Sequence, residues 1–221
     1  MLLLVHGGPD WQFQYQLFDV AQVYASRYAV VLANPRGSAG YGEAHARAIK
    51  GRLGTVDADD LMALFDAVAA RTDIDASRAG VLGGSYGGFM TAWLAAHHGR
   101  RFRAAICERA VFAWDSLLGT SDIGHTMTSM VGTDPAKWPA QTPLAHADRI
   151  DIPLLILHWE GDLRVPFEQA QRMFAALRAR RAPVELMVFP GGDHGVSRAG
   201  PPDHRLMRFE VILEWFGRHL G

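Results

Sequence analysis

Short apolar runs alternate with longer amphipathic segments along most of the chain. Six runs rich in Val, Leu and Ile stand at Leu2–Val5, Ala29–Ala33, Ala79–Leu82, Ala104–Cys107, Leu154–His158 and Val184–Phe189. Continuous apolar runs of this length are typical of strands that are buried on both faces of a parallel sheet. The pattern therefore predicts six buried strands.

The segments between these runs carry a helical pattern. Asp57–Ala70, Phe167–Arg180 and Asp203–Leu220 have apolar residues three and four positions apart, which places them along one face of a helix. In the first segment these residues are Leu61, Leu64, Phe65 and Val68. Strands that alternate with helices indicate an α/β fold, a mostly parallel sheet with helices on both faces. Because no repeat or low-complexity linker interrupts the chain, we expect residues 1–221 to form a single domain.

Residues 111–148 fit this alternation least well. Trp114, Met127, Met130 and Trp138 are interrupted here by glycines and prolines, and no clean strand pattern is present. One interpretation is an insertion or lid between two strands of the sheet. The other is an irregular connection that packs its aromatic side chains on the core.

Charge and composition narrow the classes of partner. The 22 basic and 23 acidic side chains leave a formal net charge of −1, and the arginines are scattered rather than clustered. We therefore expect neither nucleic acid nor a membrane surface as a partner. The apolar runs are too short to cross a bilayer, and the first residues lack the basic start of a secretory signal. The single cysteine, Cys107, excludes an intrachain disulfide and a thiolate metal cage. These features predict a cytoplasmic protein that uses no metal or other cofactor.

The first candidate for chemistry is a serine between glycines. Gly83-Gly84-Ser85-Tyr86-Gly87 matches the pattern G-x-S-x-G, which forms a sharp turn from a strand into a helix and exposes the serine hydroxyl. An apolar run precedes the motif, and "YGGFMTAWLAAHH" follows it with a helical composition. This context predicts that Ser85 is a nucleophile rather than one hydroxyl in a flexible glycine-rich loop.

A serine nucleophile needs a base and an acid that orients the base. In the chain order serine, acid, histidine, the base is His194, in the loop "FPGGDHGVSR" before the last helix. Glu160 and Asp162 both follow the fifth apolar run, and Asp162 is the better acid because it lies beyond the strand end in a turn. The sequence thus predicts Ser85, Asp162 and His194 as a catalytic triad.

The developing negative charge on a substrate oxygen needs hydrogen-bond donors that are already in place. The turn "VHGGPD" after the first strand can supply the backbone amide of Gly8, and the amide of Tyr86 follows the nucleophile directly. We expect His6 to fix this loop by hydrogen bonding rather than to take part in the chemistry.

Several segments together resemble a known family. "HGGP", "NPRGSAGYG", "GGSYGG", "HWEGDLRVP" and "GGDHGVSR" are similar to the C-terminal catalytic domain of the prolyl oligopeptidase family of serine peptidases, most of all to its acylaminoacyl-peptidase branch. The resemblance implies the α/β-hydrolase fold and the triad Ser85, Asp162 and His194, with the oxyanion held at Gly8 and Tyr86.

The same resemblance implies roles for two further residues. Arg164 would hold a substrate carbonyl, and Val165 would line the specificity pocket. A structural ion pair is an equally good interpretation of Arg164. Arg36, in "NPRGS", is interpreted as a residue that organises its loop.

The sequence also departs from the family pattern. Members carry an N-terminal β-propeller and additional first strands that have no counterpart here, which would leave the Ala29–Ala33 strand at an open edge. The chain is then either a fragment of a longer polypeptide or a minimal hydrolase that forms a homo-oligomer through that edge. Trp159 stands where many relatives have a small residue, and we expect it to reshape the site.

The predicted function is a serine peptidase that cleaves peptide bonds, including those of N-acylaminoacyl peptides, through an acyl-enzyme. The alternatives are an esterase acting on small acyl esters, and an inactive hydrolase module that needs missing N-terminal sequence. Nucleotide-binding and H-E-x-x-H metal motifs are absent from the sequence, and His97-His98 are interpreted as surface histidines.

Overall fold

The structure is a computed structural model that describes residues 1–221. Its strands form one sheet in which every neighbouring pair is parallel, in the order β2-β1-β3-β4-β5-β6. The strands are β1 (Leu2–Val5), β2 (Val30–Leu32), β3 (Gly80–Gly84), β4 (Ala104–Glu108), β5 (Leu154–Trp159) and β6 (Val184–Phe189). All six correspond to the predicted apolar runs.

The strand order brings two loops together at one edge of the sheet. β1 lies between β2 and β3, so the chain moves outward from β1 to β2 and then returns past β1 to β3. Val5 at the end of β1 is level with Gly83 near the end of β3. The loops after β1 and β3 therefore meet at the carboxyl ends of the strands, at the switch point where α/β sheets form their sites.

Helices cover both faces of the sheet. They are α1 (Asp19–Ala25), α2 (Glu43–Arg47), α3 (Val56–Ala69), α4 (Tyr86–His98), α5 (Trp114–Thr120), α6 (Gly124–Val131), α7 (Glu168–Ala179), α8 (Val196–Ala199) and α9 (Pro202–Leu220). The predicted helices correspond to α3, α4, α7 and α9. The pattern missed the other five, which span eight residues or fewer and are too short to show a helical period.

Alternate side chains of each strand enter two separate cores. Leu3 and Val5 belong to a cluster of 38 buried residues that includes side chains of α3, α4 and α7. Leu2 and Leu4 belong to a cluster of 12 buried residues that includes side chains of α9 and Tyr24 of α1. This two-residue period explains why the strands are mostly apolar on both faces: helices cover each face of the sheet.

The segment 111–148 contains no strand, as expected. It forms α5, α6 and three short 3₁₀ turns at Pro135–Lys137, Pro139–Gln141 and Pro143–Arg149. Trp114 is buried in the larger core, and its indole nitrogen donates to the carbonyl of Gln141 at 2.7 Å. Met127 and Met130 pack against the same core and also line the main cavity described below. The segment therefore both covers the core and forms part of a cavity wall.

The two edges of the sheet are β2 and β6. The predicted position of the second strand at an edge is thus observed, while its pairing with another copy of the chain stays a prediction. None of the helices combines the length and apolar character that a bilayer-spanning segment requires.

Candidate active site

Ser85 occupies a tight turn between β3 and α4. Its backbone has φ 61° and ψ −122°, a left-handed conformation that is strained for a residue with a side chain. Hydrogen bonds hold this conformation on both sides, because the Ser85 amide donates to the Glu108 carbonyl at 2.9 Å and the Phe89 amide donates to the Ser85 carbonyl at 2.9 Å. The side chain is only partly buried. The turn thus presents the hydroxyl at the carboxyl edge of the sheet.

Asp162 lies in the turn that follows β5, with its carboxylate buried. Its Oδ1 accepts hydrogen bonds from the amides of Arg164 and Val165, both at 2.9 Å. Its Oδ2 accepts a hydrogen bond of 2.7 Å from Nδ1 of His194. The buried His158 supports the same turn by donating from Nε2 to the Val165 carbonyl at 2.8 Å. The carboxylate is therefore fixed by three donors before any substrate arrives.

His194 lies in the loop between β6 and α8, and its side chain is 17% exposed. Because Nδ1 donates to Asp162, the neutral imidazole leaves Nε2 free to accept a proton. Burial lowers the pKa of His194 below its ordinary value of 6.5, and the positive charge of Arg109 lowers it further, whereas the hydrogen bond to Asp162 raises it. The imidazole is therefore neutral at pH 7, the form that a base requires.

Ser85 and His194 line the same cavity, which has a volume of about 810 Å³. No hydrogen bond joins the Ser85 hydroxyl to His194 in this structure, whereas the bond between His194 and Asp162 is formed. Hydrogen bonds between a nucleophile and its base are often long without substrate and tighten in the reacting complex. The structure thus brings two of the predicted residues into contact and places the third in the same cavity.

Glu160 and Trp159, which are close to Asp162 in sequence, do not line the cavity. Glu160 is exposed, and one of its carboxylate oxygens accepts a hydrogen bond from the amide of Gly191 at 3.4 Å. Trp159 is fully buried and stacks on Phe189, with ring centroids 4.8 Å apart. Its ring does not line the cavity but packs against Val196, just beyond the His194 loop. The expectation that Trp159 reshapes the site is therefore wrong: the indole supports the loop from behind.

The loop after β1 passes close to Ser85. A Cβ atom built on Gly7 would lie 3.6 Å from the Cβ of Ser85. Gly8 and Tyr86 both line the cavity, and their amides donate no hydrogen bond within the protein. The buried His6 contacts the Gly7 carbonyl through Nδ1 at 2.6 Å and Ser38 Oγ through Nε2 at 2.9 Å. These contacts match the expected role of His6 in fixing the loop.

The hydroxyl of Tyr86 anchors the first turn of α4. It donates to Oδ2 of the buried Asp57 at 2.7 Å, and this carboxylate also accepts from the amides of Gly54 and Ala58. Burial raises the pKa of Asp57, and the hydrogen bond from Tyr86 opposes that rise. The contact joins α3 to α4 and holds the amide of Tyr86 in place beside Ser85.

Arg164 and Val165 both line the cavity, but the guanidinium of Arg164 is engaged. Its Nε lies 2.6 Å from Oδ1 of Asp122, and its Nη2 lies 3.1 Å from Oδ2. Of the two roles predicted for Arg164, the ion pair is the one present in the structure, and contact with a substrate stays a prediction. Arg36 makes a similar two-nitrogen contact with Asp60, which ties the loop after β2 to α3 as expected of a loop organiser.

Sequence reasoning missed the charged residues at the carboxyl end of β4. Glu108 and Arg208 of α9 form a buried ion pair next to the cavity. Arg109 has φ 38°, lines the same cavity and donates from Nη2 to Ser197 Oγ at 2.8 Å. A signal was available, because charged residues that directly follow a buried parallel strand lie at the edge where α/β sheets form their sites.

Known proteins share both the sequence and the fold of this chain. The profile of the prolyl oligopeptidase family matches residues 11–221. The chain belongs to this family. It is 41% identical over 227 residues to the uncharacterized peptidase YuxL of Bacillus subtilis, a match that covers all of this chain and 34% of that protein. It is also 30% identical to the acylamino-acid-releasing enzyme of Sus scrofa, with 100% of this chain and 31% of that enzyme covered.

A solved structure shows the same likeness in the fold. The uncomplexed acylaminoacyl peptidase of Pyrococcus horikoshii matches with a TM-score of 0.96 and 32% sequence identity, covering 99% of this chain and 37% of that one. The fold is therefore that of an α/β hydrolase, as the sequence predicted. The chain spans about a third of the length of the curated relatives that it matches.

Proposed function

We propose that this chain is a serine peptidase catalytic unit that cleaves peptide bonds through an acyl-enzyme. The observation that carries the proposal is the 2.7 Å hydrogen bond from His194 to a buried Asp162, in the cavity that Ser85 also lines. Ser85 is the nucleophile, His194 is the general base, and Asp162 holds the imidazole in the required tautomer.

The proposed reaction uses each of these groups in turn. Nε2 of His194 takes the proton of Ser85 as Oγ bonds to the substrate carbonyl carbon, and the amides of Gly8 and Tyr86 stabilise the negative oxygen. His194 then gives the proton to the leaving nitrogen as the C–N bond breaks, which leaves an acyl ester on Ser85. Water repeats the same steps, releases the acid and restores the hydroxyl.

Two observations support N-acylaminoacyl peptides as substrates. The relatives include an acylamino-acid-releasing enzyme and an acylaminoacyl peptidase. The cavity wall also contains apolar side chains that fit an uncharged acyl or aminoacyl group, namely Val111, Trp114, Leu117, Met127 and Val165. The preference for peptides over small esters, the alternative substrates, stays a prediction.

The test compares Ser85→Ala with the original chain. Hydrolysis of an N-acetyl-aminoacyl p-nitroanilide and of p-nitrophenyl acetate is measured side by side, and Ser77→Ala is the matched control. Ser77 is exposed in the turn before β3, at the opposite end of the strands from Ser85. We expect Ser85→Ala to lower kcat on both substrates by about a thousandfold or more, and Ser77→Ala to leave it unchanged.

Three results decide between the proposal and its alternatives. A folded Ser85→Ala protein that keeps activity within tenfold of the original chain would refute the mechanism. Hydrolysis of the ester alone would favour the esterase. Inactivity of the original chain on both substrates would favour the module that needs further sequence.

A further inference from the structure

Arg109 lines the cavity beside Ser85, and its guanidinium lies next to the nucleophile turn. Arg109 follows β4, and its Nη1 would lie 3.0 Å from a Cβ atom built on Gly84, the residue that precedes Ser85. The left-handed backbone of Arg109 is held by a hydrogen bond from its amide to the Leu157 carbonyl at 2.8 Å. The side chain is therefore aimed back toward the nucleophile turn rather than out into solvent.

This guanidinium has no anionic partner. Its Nη2 donates to the neutral hydroxyl of Ser197, its Nε is buried with no hydrogen-bond partner, and its Nη1 donates no hydrogen bond within the protein. The neighbouring Arg208 is paired with Glu108, and Arg164 with Asp122.

The charges around Arg109 favour an anion from outside the chain. Glu108 is neutralised by Arg208, and the carboxylate of Asp162 is engaged by His194. The exposed Arg198 lines the same cavity and forms no ion pair. Burial lowers the pKa of Arg109 to about 10, so the side chain is still charged at pH 7. A partly desolvated guanidinium without an anionic partner forms a strong, charge-assisted hydrogen bond when a ligand carboxylate binds to it.

The position of Arg109 indicates which part of a substrate would carry that carboxylate. Ser197, its hydrogen-bond partner, lies three residues after His194 in the same connection between β6 and α9. In the proposed function, on which this step rests, His194 delivers a proton to the leaving nitrogen. A cation attached to the His194 loop is therefore on the side of the leaving group.

We propose that Arg109 binds the free α-carboxylate of a short leaving group, so that the enzyme prefers peptides whose C-terminus lies close to the scissile bond. Hydrolysis of the C–N bond then releases an amino acid or short peptide whose carboxylate stays paired with Arg109 until it dissociates. Arg109 acts here as a specificity residue and exchanges no proton with the substrate.

The test measures how strongly the enzyme prefers a peptide with a free C-terminal carboxylate over the corresponding amide. N-acetyl-Phe-Ala with a free carboxylate is compared with the same peptide as its C-terminal amide, and the quantity is the ratio of the two kcat/KM values. We expect the original chain to favour the acid by about tenfold or more, the size expected of a hydrogen bond to a charged group. In Arg109→Met we expect the ratio to fall to about one.

Control variants separate binding from positioning. Arg178→Met removes the same charge from an exposed arginine of α7 outside the cavity, and it should keep the original ratio. Ser197→Ala removes the hydrogen bond to Arg109 but keeps the guanidinium, and it should still favour the acid. A ratio near one in the original chain, or an unchanged ratio in Arg109→Met, would overturn the proposal. Equal loss of the ratio in Ser197→Ala and Arg178→Met would also overturn it, because the preference would then not belong to Arg109.

A binding measurement distinguishes this proposal from the proposed function. Calorimetry on Ser85→Ala, which cannot form the acyl-enzyme, compares the affinities for the acid and the amide. Tighter binding of the acid by about tenfold, lost when Arg109→Met is added, supports the subsite even if the original chain hydrolyses neither peptide. Equal affinities, with both peptides hydrolysed at equal rates by the original chain, would leave the peptidase function standing and refute the role of Arg109.

Discussion

Gly83→Ala tests whether close backbone packing around the nucleophile turn sets the activity. A Cβ atom at this position would lie 2.5 Å from the Gly87 carbonyl oxygen and 2.7 Å from the Val5 carbonyl oxygen. Real Cβ atoms are essentially never closer than 3.0 Å to such neighbours. Both neighbours are backbone atoms, so they cannot be relieved by a rotamer change. To reach 3.0 Å, the Cβ and the first turn of α4 must separate by at least 0.5 Å, and the Cβ and the end of β1 by at least 0.3 Å.

This displacement separates the groups that must act together. Gly87 moves with the amide of Tyr86, and Val5 leads directly into the loop that carries the amide of Gly8. Catalytic groups have to be held to within about 0.5 Å, and a misplacement of about 1 Å costs about a hundredfold in rate. We therefore expect kcat to fall by about ten- to hundredfold. Overpacking should also cost about 1–3 kcal/mol of unfolding free energy.

The assay is hydrolysis of an N-acetyl-aminoacyl p-nitroanilide, with urea unfolding of the same preparation. Gly217→Ala is the matched control, because a Cβ there meets no heavy atom within 4 Å and the site is exposed near the end of α9. That variant should keep its kcat and gain about 0.5–1 kcal/mol from the better helix propensity of alanine. If Gly83→Ala keeps kcat within twofold of the original chain, the packing argument is wrong.

Three further predictions concern the triad and its support. As the pH falls, kcat/KM should drop with a midpoint below pH 6.5, because burial lowers the pKa of His194 and only the neutral imidazole acts as a base. A midpoint above pH 6.5 would contradict this prediction. Asp162→Asn should lower kcat by about 10⁴ by favouring the wrong tautomer of His194, and a loss under tenfold in the same assay would be inconsistent with that role. Tyr86→Phe should cost about 1–3 kcal/mol in urea unfolding, because the buried Asp57 loses a donor; unchanged stability would show that the contact is unimportant.

The strands and long helices could be predicted because each carries its own local signal. A strand covered on both faces, such as β5, is apolar at almost every position, and His158 is its one polar residue. A long surface helix such as α9 repeats its apolar residues often enough to show a period. The short helices α1, α5 and α6 contain only one or two turns, so no periodic pattern can develop. Their positions depend on tertiary contacts, such as the hydrogen bond from Trp114 to the Gln141 carbonyl.

The residues of the candidate site also differ in whether a local sequence signal identifies them. Ser85, Asp162 and His194 could be selected because each follows a recognisable strand and their order along the chain matches a known arrangement. Arg109 also follows a strand and could have been placed at this edge, but its role could not be predicted, because that role depends on Ser197, which is 88 residues away in sequence, and on the absence of a carboxylate partner in space. The pairing of Glu108 with Arg208 joins residues 100 positions apart and was equally invisible to local pattern. The role expected for Trp159 failed for the same reason: nothing local shows which side of the loop the indole occupies.

The most direct test of the central claim is covalent labelling of the nucleophile. The 221-residue chain is treated with a fluorophosphonate, which reacts rapidly only with an activated serine, and the modified peptide is identified by mass spectrometry. We predict a single adduct, on Ser85, that forms much more slowly in His194→Ala. A folded chain that gives no adduct, an adduct on another serine, or undiminished labelling of His194→Ala would contradict it.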